Sequence, residues 1–232
     1  NTKIVYLEGY LFDLPEAKNL FNIIVDKKQH YGYEVALSLS DPFCVERHKE
    51  DFLKLIEKGI NILFGNEEEI GFLLNCKIEE ALVKASKEGS ISICTRGNKG
   101  STLCKGEELF NSNAFDVNVV DTTGAGDNFA AGFLHGYINN YSLDKCSKLG
   151  NYCAAETVKI IGARPNININ DIIIVGSFPL SLFQIRKNKD IDIVSISKNA
   201  FKFKNHDEIK ISNHNDYLNL YGYAKEELIF DN

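Results

Sequence analysis

Along the first 170 residues the apolar positions switch repeatedly between two periods. Consecutive or alternating apolar runs, the mark of a buried strand, occur at Ile4 to Phe12, Glu34 to Leu39, Ile60 to Phe64 and Ile91 to Thr95. Between them lie stretches of helical character. Pro15 to about His30 follows Asp13 as an N-cap, and Val45 to Lys58 places Phe52, Leu55 and Ile56 on one face with Gly59 at its C-cap. Asp41-Pro42 breaks the chain between strand and helix, and Glu67 to Leu74 and Ile78 to Lys87 complete the set. Strand and helix in strict alternation predict a mostly parallel sheet with helices on both faces, a three-layer α/β/α arrangement.

From Asn98 to Val120 the pattern shortens, and Gly100 and Gly106 predict a hairpin-bearing insertion that ends in a strand at Val117 to Val120. Two longer helices are expected at Gly126 to Asn139 and from Ser142 to about Ile161. After Arg164-Pro165, the run Asn-Ile-Asn-Ile-Asn reads as a linker or an edge. A strand at Ile172 to Val175 then opens a second unit, so the expected division is 1–168 and 172–232, the latter a small α+β segment.

Composition narrows the class. With 44% hydrophobic and 25% charged residues the chain is globular in type. The net charge of −6 lies in the first part, while the tail is balanced. That distribution argues against a nucleic-acid or membrane-surface partner. No apolar run approaches the roughly 20 residues that span a bilayer, and the amino terminus lacks the pattern of a signal peptide, so a cytoplasmic location is expected. The six cysteines are scattered without a C-x-x-C pair and read as buried, reduced thiols. There is no methionine, and Asn1 is not a residue before which an initiator is trimmed; the expectation is a fragment of a longer protein.

The chemistry gathers at Asp121-Thr122-Thr123-Gly124-Ala125-Gly126-Asp127, which runs from the strand-like Val117 to Val120 into an apolar helix. A glycine-rich turn opening a helix exposes backbone N–H groups that, with the helix dipole, favour an anion. An Asp in the first turn of such a helix can accept the proton of a hydroxyl attacking a phosphorus held there. Two further stretches carry weaker signals. Asn66 and Glu69 have the spacing of a capping box, and Thr95 to Ser101 has that of a glycine turn without the spacing of a Walker loop.

Together with Gly162-Ala163-Arg164-Pro165, these stretches resemble, in order and spacing, the motifs of the PfkB (ribokinase-like) carbohydrate and nucleoside kinases. The resemblance covers residues 1 to about 168 and implies the ribokinase-like fold, truncated at its amino-terminal side. Leu37 to Phe43, Ile62 to Glu67 and Tyr6 to Tyr10 look most like the adenosine kinase branch. It implies Asp127 as the general base and the Gly124, Ala125 and Gly126 N–H groups as an anion hole. Asn66 and Glu69 would act through Mg²⁺ and water, and Thr95 and Gly97 would line ATP. Asn151 would lie on the helix covering the adenine, while Asp121 and Thr123 correspond to ligands in members that use K⁺. The implied partners are ATP and a small nucleoside or sugar. Since the family's acceptor pocket lies upstream of the matched positions, the polypeptide by itself is expected to show little activity. A non-catalytic nucleotide-binding fragment is the alternative.

In the tail, Gly176-Ser177 followed by Asp190 and Asp192 resembles the metal-binding arrangement of polymerase-beta-type nucleotidyltransferases. A solvated strand face carries the same pattern.

Overall fold

The computed structural model describes residues 2–86 and 89–164, together with the backbone of four short strands further along the chain. Two compact units divide at Pro165. In the first, the elements run β1 (Ile4–Glu8), α1 (Pro15–Tyr31), β2 (Glu34–Ser38), α2 (Pro42–Glu57), β3 (Ile62–Asn66), α3 (Glu67–Leu74), α4 (Ile78–Ala85), β4 (Ile91–Thr95), β5 (Ser101–Lys105), β6 (Glu108–Ser112), α5 (Ala125–Ile138) and α6 (Leu143–Thr157). The six strands lie in sequence order in one sheet. β1 to β4 are parallel, and β5 and β6 return antiparallel as a hairpin.

Alternate strand residues feed two cores, which is why the strands read as almost continuously apolar. Val35, Leu37, Leu63, Cys94 and Cys104 face one layer with Phe21 of α1, Phe52 and Leu55 of α2, and Ile70 and Leu82 of α3 and α4. Ala36, Ile62, Phe64, Ile91, Ile93 and Leu103 face the other, against Phe129, Ala130 and Phe133 of α5 and Cys146 of α6. The three-layer α/β/α expectation holds.

α5 and α6 approach closely because they meet through small residues. A Cβ at Gly132 would lie 2.8 Å from Leu149 O, and one at Gly150 would lie 2.9 Å from the Phe129 ring. This packing seats the start of α5 at the sheet. All six cysteines are unpaired, and all but Cys76 are buried. No helix among the described residues is long and apolar enough to cross a membrane.

Several local expectations shift. The apolar run from Ile4 forms a strand only to Glu8, and Gly9–Asp13 is a 3₁₀ turn. Gly9 lets the chain pass close to the end of β2, since a Cβ there would lie 2.7 Å from Ser38 O. Asp13 does not cap α1; Leu14 occupies that position, and the Asp13 carboxylate instead accepts from Arg47 and pairs with His48 at 2.7 Å. α2 starts earlier than expected because Asp41 accepts from Cys44 N at 2.8 Å and Pro42 fits the first helical turn. Val117 to Val120 is not a ladder strand. Val119 and Val120 are exposed, and the N–H groups of Val120 and Asp121 both go to Val158 O, just past α6.

In the second unit, Ile173–Val175 and Asp192–Val194 pair antiparallel, and Phe203–Lys204 pairs parallel with Phe230–Asp231. The linker at 166–170 lies outside the described residues, as do Gly176, Ser177, Asp190 and the Asp192 side chain.

Candidate functional site

The carboxyl ends of β1 to β4 form one edge of the parallel sheet, the edge at which α/β folds bind ligands. Glu8, Ser38, Asn66 and Thr95 terminate the four strands there.

At the end of β3 the Asn66-Glu69 pair makes both bonds of a capping box. Glu69 N donates to Asn66 Oδ1 at 2.8 Å, and Asn66 N donates to Glu69 Oε2 at 3.0 Å. Asn66 Nδ2 adds a third bond to Glu69 Oε1 at 2.7 Å. The local pattern read from the sequence is thus real, and it also aims a carboxylate at the site. Glu69 is only 6% exposed. Burial pushes its carboxyl up to about 7; the Asn66 N–H opposes the shift, and the charges of Asp41, Glu68 and Glu8 add to it.

That shift has a consequence for stability. A carboxyl raised in the folded state contributes stability that is complete below its ordinary value of 4.5 and is lost as pH rises through about 7. The swing is on the order of 3 kcal/mol. Glu69→Gln gives up the bond from Asn66 Nδ2 but cannot titrate, so it is expected to flatten the decline of the melting temperature from about pH 5 upward. Circular dichroism melts across that range check it, and a decline as steep as in the unsubstituted protein would contradict it.

Beside Glu69 the ends of β1 and β2 interlock. Ser40, with a left-handed φ of 73°, donates to Glu8 Oε1 and accepts from Tyr10 N at 3.2 Å. Burial raises the Glu8 carboxyl, the Ser40 hydrogen bond opposes that, and the charge of Asp127 adds to it. Burial and the Asp127 charge also raise the Tyr6 phenol, which is hydrogen-bonded to Ser38. Asp127 therefore sits within electrostatic reach of the carboxyl end of β1, although it lies more than a hundred residues along the chain.

The Asp121 to Asp127 turn is tightly specified. Asp121 Oδ1 accepts from Thr123 N at 2.9 Å and Thr123 Oγ1 at 2.7 Å, while Oδ2 accepts from Gly162 N at 2.8 Å. These bonds, Thr123 N–H foremost, hold the Asp121 carboxyl below its usual range. Gly124 caps α5 with φ 74°, a conformation that L side chains rarely adopt. Ala125 N–H is given to Thr122 O at 3.1 Å, a difference from the expected three-residue anion hole. The following donors, Gly126 and Asp127, have no helical carbonyl four residues back and open the helix end. Asp127 is exposed, yet protein crowds it, and that partial desolvation raises its carboxyl above the ordinary range.

On the far side, Thr95 closes β4 with its hydroxyl 3.5 Å from Gly65 O, and Gly97 opens the short 3₁₀ turn Gly97–Lys99. Gly100 admits no side chain: a Cβ there would lie 2.0 Å from Ser112 O. Arg96, just before this turn, pairs with Glu67 at 2.9 Å. Asn151 is buried and its amide is spent on Ser112 O, Ser112 Oγ and Asn113 O, at 3.1, 3.1 and 3.2 Å. It ties α6 to the end of β6.

Asn66, Glu69, Thr95 and Gly97 thus lie at the ends of β3 and β4, and Asp127 comes within electrostatic reach of the end of β1. Sequence reasoning missed Glu8, Tyr6, Ser40 and Asn128. Glu8 alone carried a signal, an acidic residue ending an apolar strand.

Comparison with known proteins agrees with this geometry. Residues 1–170 match the model of the pfkB family of carbohydrate kinases. An uncharacterised sugar kinase of Archaeoglobus fulgidus is 33% identical over 123 residues, 53% of this chain and 49% of that protein. A nucleoside kinase of Methanocaldococcus jannaschii is 33% identical over 151 residues, 63% of this chain and 48% of the relative. Among solved structures, adenosine kinase from Sinorhizobium meliloti superposes with a TM-score of 0.68 at 39% identity, covering 71% of this chain and 51% of that one. The chain spans about half the length of the curated relatives it matches.

Proposed function

The chain belongs to the pfkB family of carbohydrate kinases, and from that premise we propose that residues 1–168 form the ATP-binding and catalytic portion of a kinase. It moves the γ-phosphoryl group of ATP to a primary hydroxyl of a nucleoside, adenosine-like, or of a sugar. One observation carries the reading: Asp127, with a raised carboxyl, stands in the first turn of α5 beside the open N–H groups and within electrostatic reach of Glu8 at the sheet edge.

In this reading Asp127 accepts the acceptor hydroxyl's proton as its oxygen attacks phosphorus. A carboxylate made more basic by desolvation is better suited to that task than an ordinary one. Gly124, Gly126 and Asp127 offer N–H groups to the transferring phosphoryl, with the positive end of the α5 dipole behind them. Asn66 orients Glu69 through the capping box. The buried Glu69 carboxyl fits a Mg²⁺ ion that keeps most of its waters and arrives with the phosphates, since such sites need only one or two carboxylates. Bound there, Mg²⁺ would neutralise charge developing between the β- and γ-phosphates. Thr95 and Gly97 line the nucleotide side, and Asn151 acts by holding the nearby loop. Asp121 and Thr123 hold the turn and are the K⁺ ligands in this reading; replacing K⁺ by Na⁺ in the assay below reads that role.

Calorimetric titration with MgATP tests the site, followed by ADP release in the presence of adenosine, other nucleosides or D-ribose. Binding with at most slow acceptor-dependent ADP release is the expected outcome, and no MgATP binding would end the proposal. Binding without transfer to any acceptor would favour a non-catalytic nucleotide-binding module.

A further inference from the structure

The segment beyond α6 returns to the phosphate turn and is fastened to it at two points. Asp121 Oδ2 accepts from Gly162 N at 2.8 Å. One residue on, Ala163 O accepts from Asn128 Nδ2 at 3.0 Å, and the same nitrogen donates to Gly124 O at 3.0 Å. An amide nitrogen carries two hydrogens, so both bonds are made at once. Asn128 is buried, 7% exposed, and its backbone N–H also goes to Gly124 O at 3.0 Å.

The peptide joining Gly124 to Ala125 is therefore gripped from both ends. Its oxygen accepts from the Asn128 backbone N–H and from one Nδ2 hydrogen, and its N–H goes to Thr122 O. Ala163 fills the space where a side chain on Gly124 would be, with its Cβ 2.5 Å from that position. A polar side chain at a helix start commonly bonds back to the carbonyl four residues earlier and goes no further. The second bond, across 35 residues of sequence, has no such local explanation.

We propose that Asn128 is a positioning residue for phosphate binding: by bridging Gly124 O and Ala163 O it keeps the closing segment on the turn and fixes the direction of the Gly126 and Asp127 N–H groups. It touches no reacting atom. Its effect passes through the orientation of the cap, where a small rotation of the peptide turns both donors away from the phosphate. This assignment rests on the kinase reading of the same site, and the experiment separates the two.

MgATP is titrated into the full chain carrying Asn128→Ala or Asn128→Ser, with affinity read by calorimetry and the backbone amides of residues 124–127 read by nitrogen-15 NMR. Serine retains a hydroxyl able to bond back to Gly124 O but cannot reach Ala163 O, so it breaks the bridge while disturbing the helix start least. Both variants are expected to bind MgATP about tenfold more weakly, the size of one well-placed hydrogen bond to a charged ligand. The MgATP-induced shifts of the Gly126 and Asp127 amides should shrink, while resonances of the central strands stay in place. Affinity within about twofold of the unsubstituted chain for the serine variant would overturn the proposal. So would weakened binding with resonances displaced throughout the sheet, because the residue would then serve the fold in general. Absence of MgATP binding by the unsubstituted chain would instead overturn the kinase reading, and this assignment with it.

Discussion

Asp127→Asn is expected to lower acceptor-dependent phosphoryl transfer by about 10² to 10⁴, the usual cost of losing a general base. MgATP affinity should change little. Asparagine has the same shape, leaves the N-terminal donors of α5 in place and removes only the basic lone pair. The raised carboxyl makes a second expectation about pH. Because Asp127 is protonated at a higher pH than an ordinary carboxylate, the acid limb of the rate profile should lie above the usual value of 3.8, and it should vanish from the residual activity of the variant. Coupled ADP-release measurements from acid to neutral pH read both. Turnover within threefold of the unsubstituted protein, about 0.6 kcal/mol of barrier, would remove Asp127 from the mechanism.

Two alanine substitutions two residues apart should behave in opposite ways. At Gly124 a side chain meets both a left-handed φ of 74° and the Cβ of Ala163 at 2.5 Å. The conformational term is about 1–2 kcal/mol and overpacking against the fastened closing segment adds about 1–3 kcal/mol, so Gly124→Ala should destabilise the first unit by roughly 2–5 kcal/mol. At Gly126 nothing lies within 4 Å of the added Cβ, and the residue is already helical. Gly126→Ala should leave stability unchanged or raise it by up to about 1 kcal/mol, while placing a methyl group at the mouth of the anion site. Denaturant melts and MgATP calorimetry on the pair separate fold from function. Equal destabilisation by both substitutions would show that the turn is less constrained than its geometry states.

The legible and illegible parts of this protein differ in the range of the interactions that make them. α3 and β4 form over the expected residues because each is defined by its own apolar period and by signals within a few residues, such as the Asn66 cap. Where a distant group competes, local reading fails. Asp13 has the chemistry of an N-cap, but Arg47 and His48, contributed by α2, take its carboxylate. Val117 to Val120 has the composition of a strand, yet it joins no ladder among the described residues, and the N–H of Val120 goes to a carbonyl just past α6 instead.

The site divides along the same line. The Gly-Ala-Gly-Asp turn is contiguous, so its anion-binding helix start and its Asp could be read directly from the order of residues, and so could the Asn66-Glu69 pair. Neither order nor composition says that Glu8 and Asp127 feel each other's charge, that Asn128 reaches Ala163, or that Asn151 is occupied with β6. Those relations follow from the parallel order of β1 to β4, which brings four strand ends to one edge, and from small residues that let α5 and α6 pack closely against the sheet. Apolar period and turn chemistry are short-range properties of the chain. Which polar groups share a desolvated space is set by long-range packing, and with it the raised carboxyls of Glu69 and Asp127.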